Sequence, residues 1–420
     1  MGAPCTLVLF TSSYPYDIAF EQTFLETEIE YLSLNFDQII IVPEVVGGKK
    51  SRTPTNVEVE ECYASIIKSN IRKSIKIFFT ALFSRIFYKD ILYRPIILFK
   101  PVALLRLILF AGQAEYTCRW VCDLLQRRGI DTTHCIFYTY WWNQSSMGIG
   151  LVKKIYPQIK LVSRAHRGDL YAEQYNAAYI PCQEQSLKFF DCLLPDSENG
   201  TKYITSRYPW AKSLCETARL GVKDPGFITS YSMDDIFRIV SCSFIIPRKR
   251  VDLLLKGISY AAKLRPYQQF KWYHIGDGPL RRAIEDMAYR KLPVNVKFDI
   301  MGHLPPEQLM LFYKNKPIDV FMNVSESEGT PVSIMEAISC GIPIIATVAG
   351  GNPEIVSEQN GKLLNLNPTP DEIAAAIFSI MDNPELTIMK RSESRRVWQE
   401  MYDADNNFKS FATLARSLII

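Results

Sequence analysis

The sequence predicts an α/β protein built from two doubly wound, Rossmann-like domains, and three observations carry that expectation. At 420 residues the chain is too long for one ordinary core. Strand-like and helix-like runs alternate in both halves, as parallel sheets covered by helices require. The alternation lapses once, in the polar, turn-forming stretch Leu220-Gly-Val-Lys-Asp-Pro-Gly, where a linker fits.

In chain order, a buried-strand run spans 6–11, a helical pattern 21–34 and a second strand 38–43 (Gln-Ile-Ile-Ile-Val-Pro). The pattern resumes with strand 136–140, helix 145–154, strand 160–165 and strand 192–195. Beyond the linker come strand 237–242, helix 251–263, strand 270–275, helix 280–290, and strands 296–300 and 318–324. Helix 332–339 and strand 343–347 follow, then a mostly helical tail broken near Asn383-Pro384. The expected domains are 1–222 and 223–398, with a terminal helix in 399–420 packing back on the first domain. Two such domains facing across a cleft bring the carboxyl ends of both sheets to one site.

Composition excludes several classes. Hydrophobic residues at 48% and charged residues at 22% describe a globular chain. Lys and Arg exceed Asp and Glu only by 48 to 44, so a nucleic-acid partner is not expected. The ten cysteines fall largely in apolar runs, which reads as reduced, buried thiols in a cytoplasmic protein. Met1-Gly-Ala-Pro runs straight into the first strand without a basic leader, so secretion is not expected.

Residues 66–110 form a basic, apolar insertion. Nine basic residues (Lys68, Arg72, Lys73, Lys76, Arg85, Lys89, Arg94, Lys100, Arg106) face one acid, Asp90, among Phe, Ile, Leu and Tyr. No uncharged run approaches the ~18 residues a spanning helix needs. Two readings stay open: helices lying in an anionic membrane interface at the inner face of the cytoplasmic membrane, or an insertion packed on the core with a solvated basic face.

The segment from Val320 to Thr347 carries the chemistry. A strand ends near Val324, a glycine turn follows, and Pro331 suits the first helical position with Thr330 as N-cap. Free N–H groups of Val332 and Ser333, aided by the helix dipole, make an anion site suited to a diphosphate. Glu328 and Glu336 flank it. Carboxylates there are placed to accept hydrogen bonds from hydroxyls, as a sugar or ribose supplies. The plainer alternatives are an exposed loop acid for Glu328 and a helical surface acid for Glu336.

Glu328 and Glu336, seven residues apart in Glu-Gly-Thr-Pro-Val-Ser-Ile-Met-Glu-Ala, resemble the paired-glutamate motif of the retaining family-four glycosyltransferases with the GT-B fold, of the bacterial surface-polysaccharide type. His274-Ile-Gly-Asp-Gly-Pro-Leu, Ile300-Met-Gly-His-Leu, Gly350-Gly-Asn-Pro-Glu-Ile-Val and Ser163-Arg-Ala-His-Arg-Gly-Asp-Leu-Tyr resemble other parts of that family. The resemblance implies that Glu328 touches the transferred sugar, Glu336 the ribose, and the amides near Thr330, Val332 and Ser333 the diphosphate. It implies Lys249 as a phosphate ligand. The family's upstream Arg is replaced here by Ser243 or Phe244, leaving Arg248 or Arg250 as substitutes. It implies His166 near the donor sugar, and an acceptor side with Ser12 and Ser13 of Phe10-Thr-Ser-Ser-Tyr-Pro, Tyr140 and Trp141 of Tyr-Trp-Trp, and Asp169.

The expected reaction is therefore metal-independent, retaining transfer of a hexosyl group from a nucleoside-diphosphate sugar to a glycan acceptor, free or lipid-linked, in polysaccharide biosynthesis, with no cofactor. Asp403-x-Asp405 is discounted as a metal motif because no second ligand cluster accompanies it. Two rivals remain, a nucleotide-sugar epimerase and a non-catalytic nucleotide-sugar-binding scaffold.

Overall fold

The computed structural model describes residues 4–18, 21–67, 71–175 and 177–419. The chain divides into two compact units, residues 1–219 with 406–420, and residues 220–405.

The first unit is built on a six-stranded parallel sheet of β1 (Thr6–Thr11), β2 (Gln38–Pro43), β3 (Val57–Val59), β4 (Cys135–Thr139), β5 (Lys160–Ala165) and β6 (Cys192–Pro195). Its order is β3-β2-β1-β4-β5-β6, with register Leu7 to Ile39 on one side and Leu7 to Ile136 on the other. Strands buried on both faces must be apolar throughout, which is why β1, β2 and β4 read as unbroken hydrophobic runs. Beneath the sheet lies a fully buried ion pair: Arg164 of β5 meets Glu28 at 3.0 Å, with neither side chain exposed. Tyr138 donates to Glu28 at 2.6 Å and accepts from Arg164 at 2.8 Å. Removing one member of such a pair costs about 3–5 kcal/mol. The helix Ala404–Ser417 completes this unit, with Phe411 ring-to-ring against Tyr138 at 4.9 Å and beneath the Arg164 guanidinium.

Between β3 and β4 the first unit carries α2 (Cys62–Ile67), α3 (Ile71–Leu82), α4 (Arg85–Tyr93), a 3-10 turn at Pro95–Phe99 and α5 (Pro101–Arg128), after α1 (Gln22–Ser33). The 28-residue α5 has Pro101 in its first turn and ends on Gly129 at φ 59, a left-handed position that glycine takes without a Cβ clash. Its buried positions Ala103, Leu107, Ala111, Ala114, Cys118, Val121 and Leu125 recur at three- and four-residue spacing, a helical stripe facing the core. This helix was not foreseen beyond residue 110, because its outer face is also partly apolar and blurs the period. Among the described residues no helix is long and apolar enough to cross a membrane. Lys68 lies outside the described residues, as do the side chains of Arg72 and Lys73. Most cysteines are buried or half-buried; Cys62 departs from the expectation and is exposed.

The second unit repeats the plan with β7 (Ile236–Cys242), β8 (Gln269–Ile275), β9 (Val296–Gly302), β10 (Val320–Asn323), β11 (Ile344–Thr347) and β12 (Gly361–Leu364). Its order, β12-β11-β10-β7-β8-β9, is the first sheet's order read from the opposite edge, so both sheets share one plan. In both sheets the chain reverses direction of growth beside the first strand, between β1 and β4 and between β7 and β10. Open parallel sheets bind ligands at that switch point, beyond the carboxyl ends of the strands.

Candidate functional site

The loops after β7 and β10 therefore hold the place where a ligand is expected, and they meet there. Lys249 follows β7 and Glu328 follows β10, and the ammonium donates to both carboxylate oxygens at 2.6 and 2.8 Å. Asn323, the last residue of β10, donates to Glu328 at 3.0 Å and accepts from the Ser325 amide at 3.0 Å. Glu328 is only 7% exposed. Burial pushes its carboxyl up, but the Lys249 charge and the hydrogen bonds from Lys249, Ser325 and Asn323 outweigh it, so its pKa lies below the usual value. Glu328 is thus a held, ionised carboxylate and not an exposed loop acid. Gly350 fixes the turn from the other side: at φ 54, a Cβ there would strike the Glu328 carbonyl, and the next amide, of Gly351, donates to Gly329 at 3.0 Å.

The helix after this turn is Val332–Ser339. It has the expected bounds, but its cap lies one residue later than expected. Pro331 is extended (φ −80, ψ 101), and its carbonyl accepts from Ile334 and Met335, which makes Pro331 the N-cap instead of Thr330. The amides of Val332 and Ser333 have no acceptor among the described residues, as the first turn of a helix requires. Glu336 sits one turn further on, 8% exposed. Its carboxylate has no hydrogen bond or ion pair among the described residues, and burial pushes its pKa up to about 8. A helical surface acid would show neither property.

The two candidate arginines separate. Arg250, at φ 48, donates to the carbonyls of Val324 at 2.7 Å, Ser325 at 2.9 Å and Leu366 at 2.6 Å, and to Asn367 at 3.0 Å. It clamps the β10 loop to the residues just after β12. Arg248 is exposed and its guanidinium has no partner among the described residues. His274, quoted above for its sequence resemblance, is structural: it is fully buried, bonded to Ser241 at 2.9 Å and to the Ser243 carbonyl at 3.2 Å, with its pKa pushed down to about 4 by burial. It ties the loop that holds Ser243 to β8. At Gly276 a Cβ would strike the Ser243 carbonyl, so the Gly-Asp-Gly turn presses on the same loop.

At the switch point of the first sheet the remaining candidates gather. Glu21, buried, accepts from the amides of Ser12 at 2.8 Å, Ser13 at 2.7 Å and Tyr14 at 2.9 Å, and from the Trp141 indole at 2.6 Å. It joins the loop after β1 to the loop after β4. Tyr140 and Trp141 lie against the His166 ring at 4.8 and 4.6 Å. His166 Nδ1 lies 3.1 Å from Asp196, while its buried Nε2 and the Tyr140 hydroxyl are unpartnered among the described residues. Asp169 accepts from the amides of His166 and Trp142, each at 3.2 Å, and burial pushes its pKa up to about 6. Glu44, half-buried, accepts from Asn143, Gln144 and Ser145 through one oxygen, and burial pushes its pKa up to about 7. Sequence reasoning passed over Glu21, Glu44 and Asn323. Glu21 and Glu44 have side-chain partners 99 to 120 residues away, which spacing cannot reveal, whereas Asn323 lies five residues before Glu328 at the end of a strand that reads as plain core.

The second unit's sequence matches the family described as Glycosyl transferases group 1 over residues 233–399. The match covers under half of the chain. The paired glutamates and Lys249 all fall inside it. Among curated relatives, one protein of the phosphatidylinositol N-acetylglucosaminyltransferase of Arabidopsis thaliana is 30% identical over 172 residues, 40% of this chain and 37% of that one. The chain thus spans well under half the length of that relative. Over its whole length the chain shares its fold with solved structures. A lipopolysaccharide outer core galactosyltransferase superposes with TM-score 0.67 at 15% identity, covering 98% of this chain and 99% of that one. The Anabaena protein HepE, solved with UDP and glucose, gives 0.60 at 15%, covering 98% and 100%. The architecture of the chain is GT-B, two Rossmann-like units in one chain.

Proposed function

We propose that this protein is a retaining, metal-independent glycosyltransferase that moves a hexosyl group from a nucleoside-diphosphate sugar to a lipid-linked glycan acceptor in polysaccharide biosynthesis, working in the cytoplasm. The observation that carries the reading is the Lys249–Glu328 pair at the switch point of the second sheet, one turn before a helix whose first amides are free. The group 1 match over those residues supports it, as does the Anabaena neighbour's complex with UDP and glucose. The cytoplasmic location comes from cysteine usage in the sequence.

Breaking the anomeric C–O bond places positive charge on the sugar and negative charge on the departing phosphate. Lys249, Arg248 and the amides of Val332 and Ser333 supply the positive field for the phosphate without a metal ion. Glu328, kept ionised, accepts from sugar hydroxyls and favours the growing positive charge, and Glu336 accepts from ribose. The acceptor hydroxyl attacks from the face the phosphate leaves, and the phosphate takes its proton. His166 Nε2 and the Tyr140 hydroxyl are free to bond sugar hydroxyls, with Ser12, Ser13, Trp141 and Asp169 shaping the acceptor side.

Thermal shift with a panel of uridine, guanosine and adenosine diphosphate sugars tests the reading. The cognate donor at a hundred times its dissociation constant adds about 2.7 kcal/mol. No shift with any of them would sink it. Once the donor is known, Arg248→Ala is expected to weaken its binding by about 1.5–3 kcal/mol with an unchanged Tm. Arg250→Ala should do the reverse, lowering Tm while changing donor affinity little. The opposite pattern would exchange the roles of the two arginines.

A further inference from the structure

The insertion between β3 and β4 presents to solvent what a core helix would bury. In α3, Ile75, Phe78, Phe79 and then Phe83 recur at helical spacing on the face opposite buried Ile77 and Ala81, and Phe83 is 86% exposed. In α5, Val102, Leu105 and Leu109 form a second exposed stripe opposite buried Ala103, Leu107 and Ala111. Between them Leu92 is 81% exposed and Phe99 80%. These elements pack on one another, α3 and α4 against α5 and the 3-10 turn against both α4 and α5. Exposed apolar area on that scale marks an interaction surface.

Charge decides the occupant. Lys76, Arg85, Lys89 and Lys100 are exposed, and none forms an ion pair among the described residues. The sole acid of the stretch, Asp90, is turned inward, where it accepts from Tyr179 and from Gln185 at 3.1 Å. Every exposed charge described between residues 75 and 109 is therefore positive. A second copy of the chain would bring the same unpaired positive charge to the interface and be repelled. A bilayer with anionic headgroups offers apolar depth for the aromatic side chains and negative charge at the level of the lysines.

We infer that the outer face of α3, α4, the 3-10 turn and the start of α5 is a docking surface for an anionic bilayer. It rests on the transferase reading only for its purpose, presenting a lipid-linked acceptor, so nucleotide-sugar binding and vesicle binding are measured separately. The full-length protein is floated with phosphatidylcholine vesicles and with vesicles of phosphatidylcholine and phosphatidylglycerol, over a range of salt. Binding to the anionic vesicles should exceed binding to neutral ones and fall as salt screens charge over ~8–10 Å. Phe79→Ser/Phe83→Ser/Phe99→Ser and Lys76→Glu/Arg85→Glu/Lys89→Glu should each reduce it by at least about tenfold with Tm and nucleotide-sugar affinity unchanged. Equal partitioning onto both vesicles, or none onto either, overturns the proposal. So does a concentration-dependent dimer that the serine variant disperses. Vesicle binding without nucleotide-sugar binding upholds the surface and overturns only the transferase reading.

Discussion

Glu328→Gln is expected to lower transfer turnover by about 100- to 1,000-fold while leaving affinity for the bare nucleoside diphosphate within a few-fold of the parent. The glutamine keeps the volume and one acceptor oxygen but not the charge, and the charge is what counts as the anomeric carbon becomes positive. A nucleoside diphosphate lacks the sugar, so its binding does not report on Glu328. Stability supplies a control. Lys249, with its side chain 16% exposed, loses its counter-ion in Glu328→Ala, and breaking such a pair costs about 3–5 kcal/mol when fully buried and less here. Glu328→Gln with Lys249→Met removes both charges and should recover most of that loss without recovering turnover. Parental turnover in the single glutamine variant would remove Glu328 from the reaction.

Legibility in the sequence followed how local each feature is. Strands β1, β2, β5 and β6 lay at their expected bounds because doubly buried strands are short unbroken apolar runs ended by turn residues. The helix at 332–339 was equally legible, but its cap was not. Thr330 is the better capping residue by type, and only the backbone of Pro331 shows where the first helical carbonyl lies. The short edge strands β3 and β12 escaped notice, since three or four residues carry too little pattern. Glu328 and Glu336 could be found from their seven-residue spacing. Their electrostatic difference could not, because it comes from Lys249, 79 residues away, beside one and nothing beside the other. The same holds for Arg250, whose clamp on Val324, Ser325 and Leu366 exists only after β10, β11 and β12 have paired. The inward turn of Asp90, which leaves the insertion's surface purely basic, depends on Tyr179 and Gln185, 89 and 95 residues further along the chain.

Glu336→Gln is expected to make the second unit more stable at alkaline pH and to bind nucleotide sugar more weakly. The folded carboxyl titrates at about 8, against an ordinary value of 4.5. Between those limits the unfolded chain has released the proton and the folded chain still holds it. Stability is therefore fully present below about 4.5 and is lost as pH rises through 8, where the buried carboxylate must ionise without a partner. At ~1.36 kcal/mol per pH unit, the window amounts to a few kcal/mol. Glutamine does not ionise, so the Tm of the variant minus that of the parent should grow from pH 5 to pH 9. The neighbouring Cys242 and Tyr313 do not blur this, since burial raises both pKa values and keeps them neutral through the window. On the proposed function, donor binding runs through the same group. Ribose hydroxyls donate to a carboxylate better than to a carboxylic acid, so the donor draws Glu336 toward its ionised form and releases a proton on binding near pH 7. Calorimetry in two buffers of different ionisation enthalpy reads that proton directly. The parent should release a substantial fraction of one proton per nucleotide sugar bound, and Glu336→Gln correspondingly less. Equal proton release in both proteins, or a Tm difference flat from pH 5 to pH 9, would show that the buried carboxyl of Glu336 neither titrates in this range nor meets the ribose.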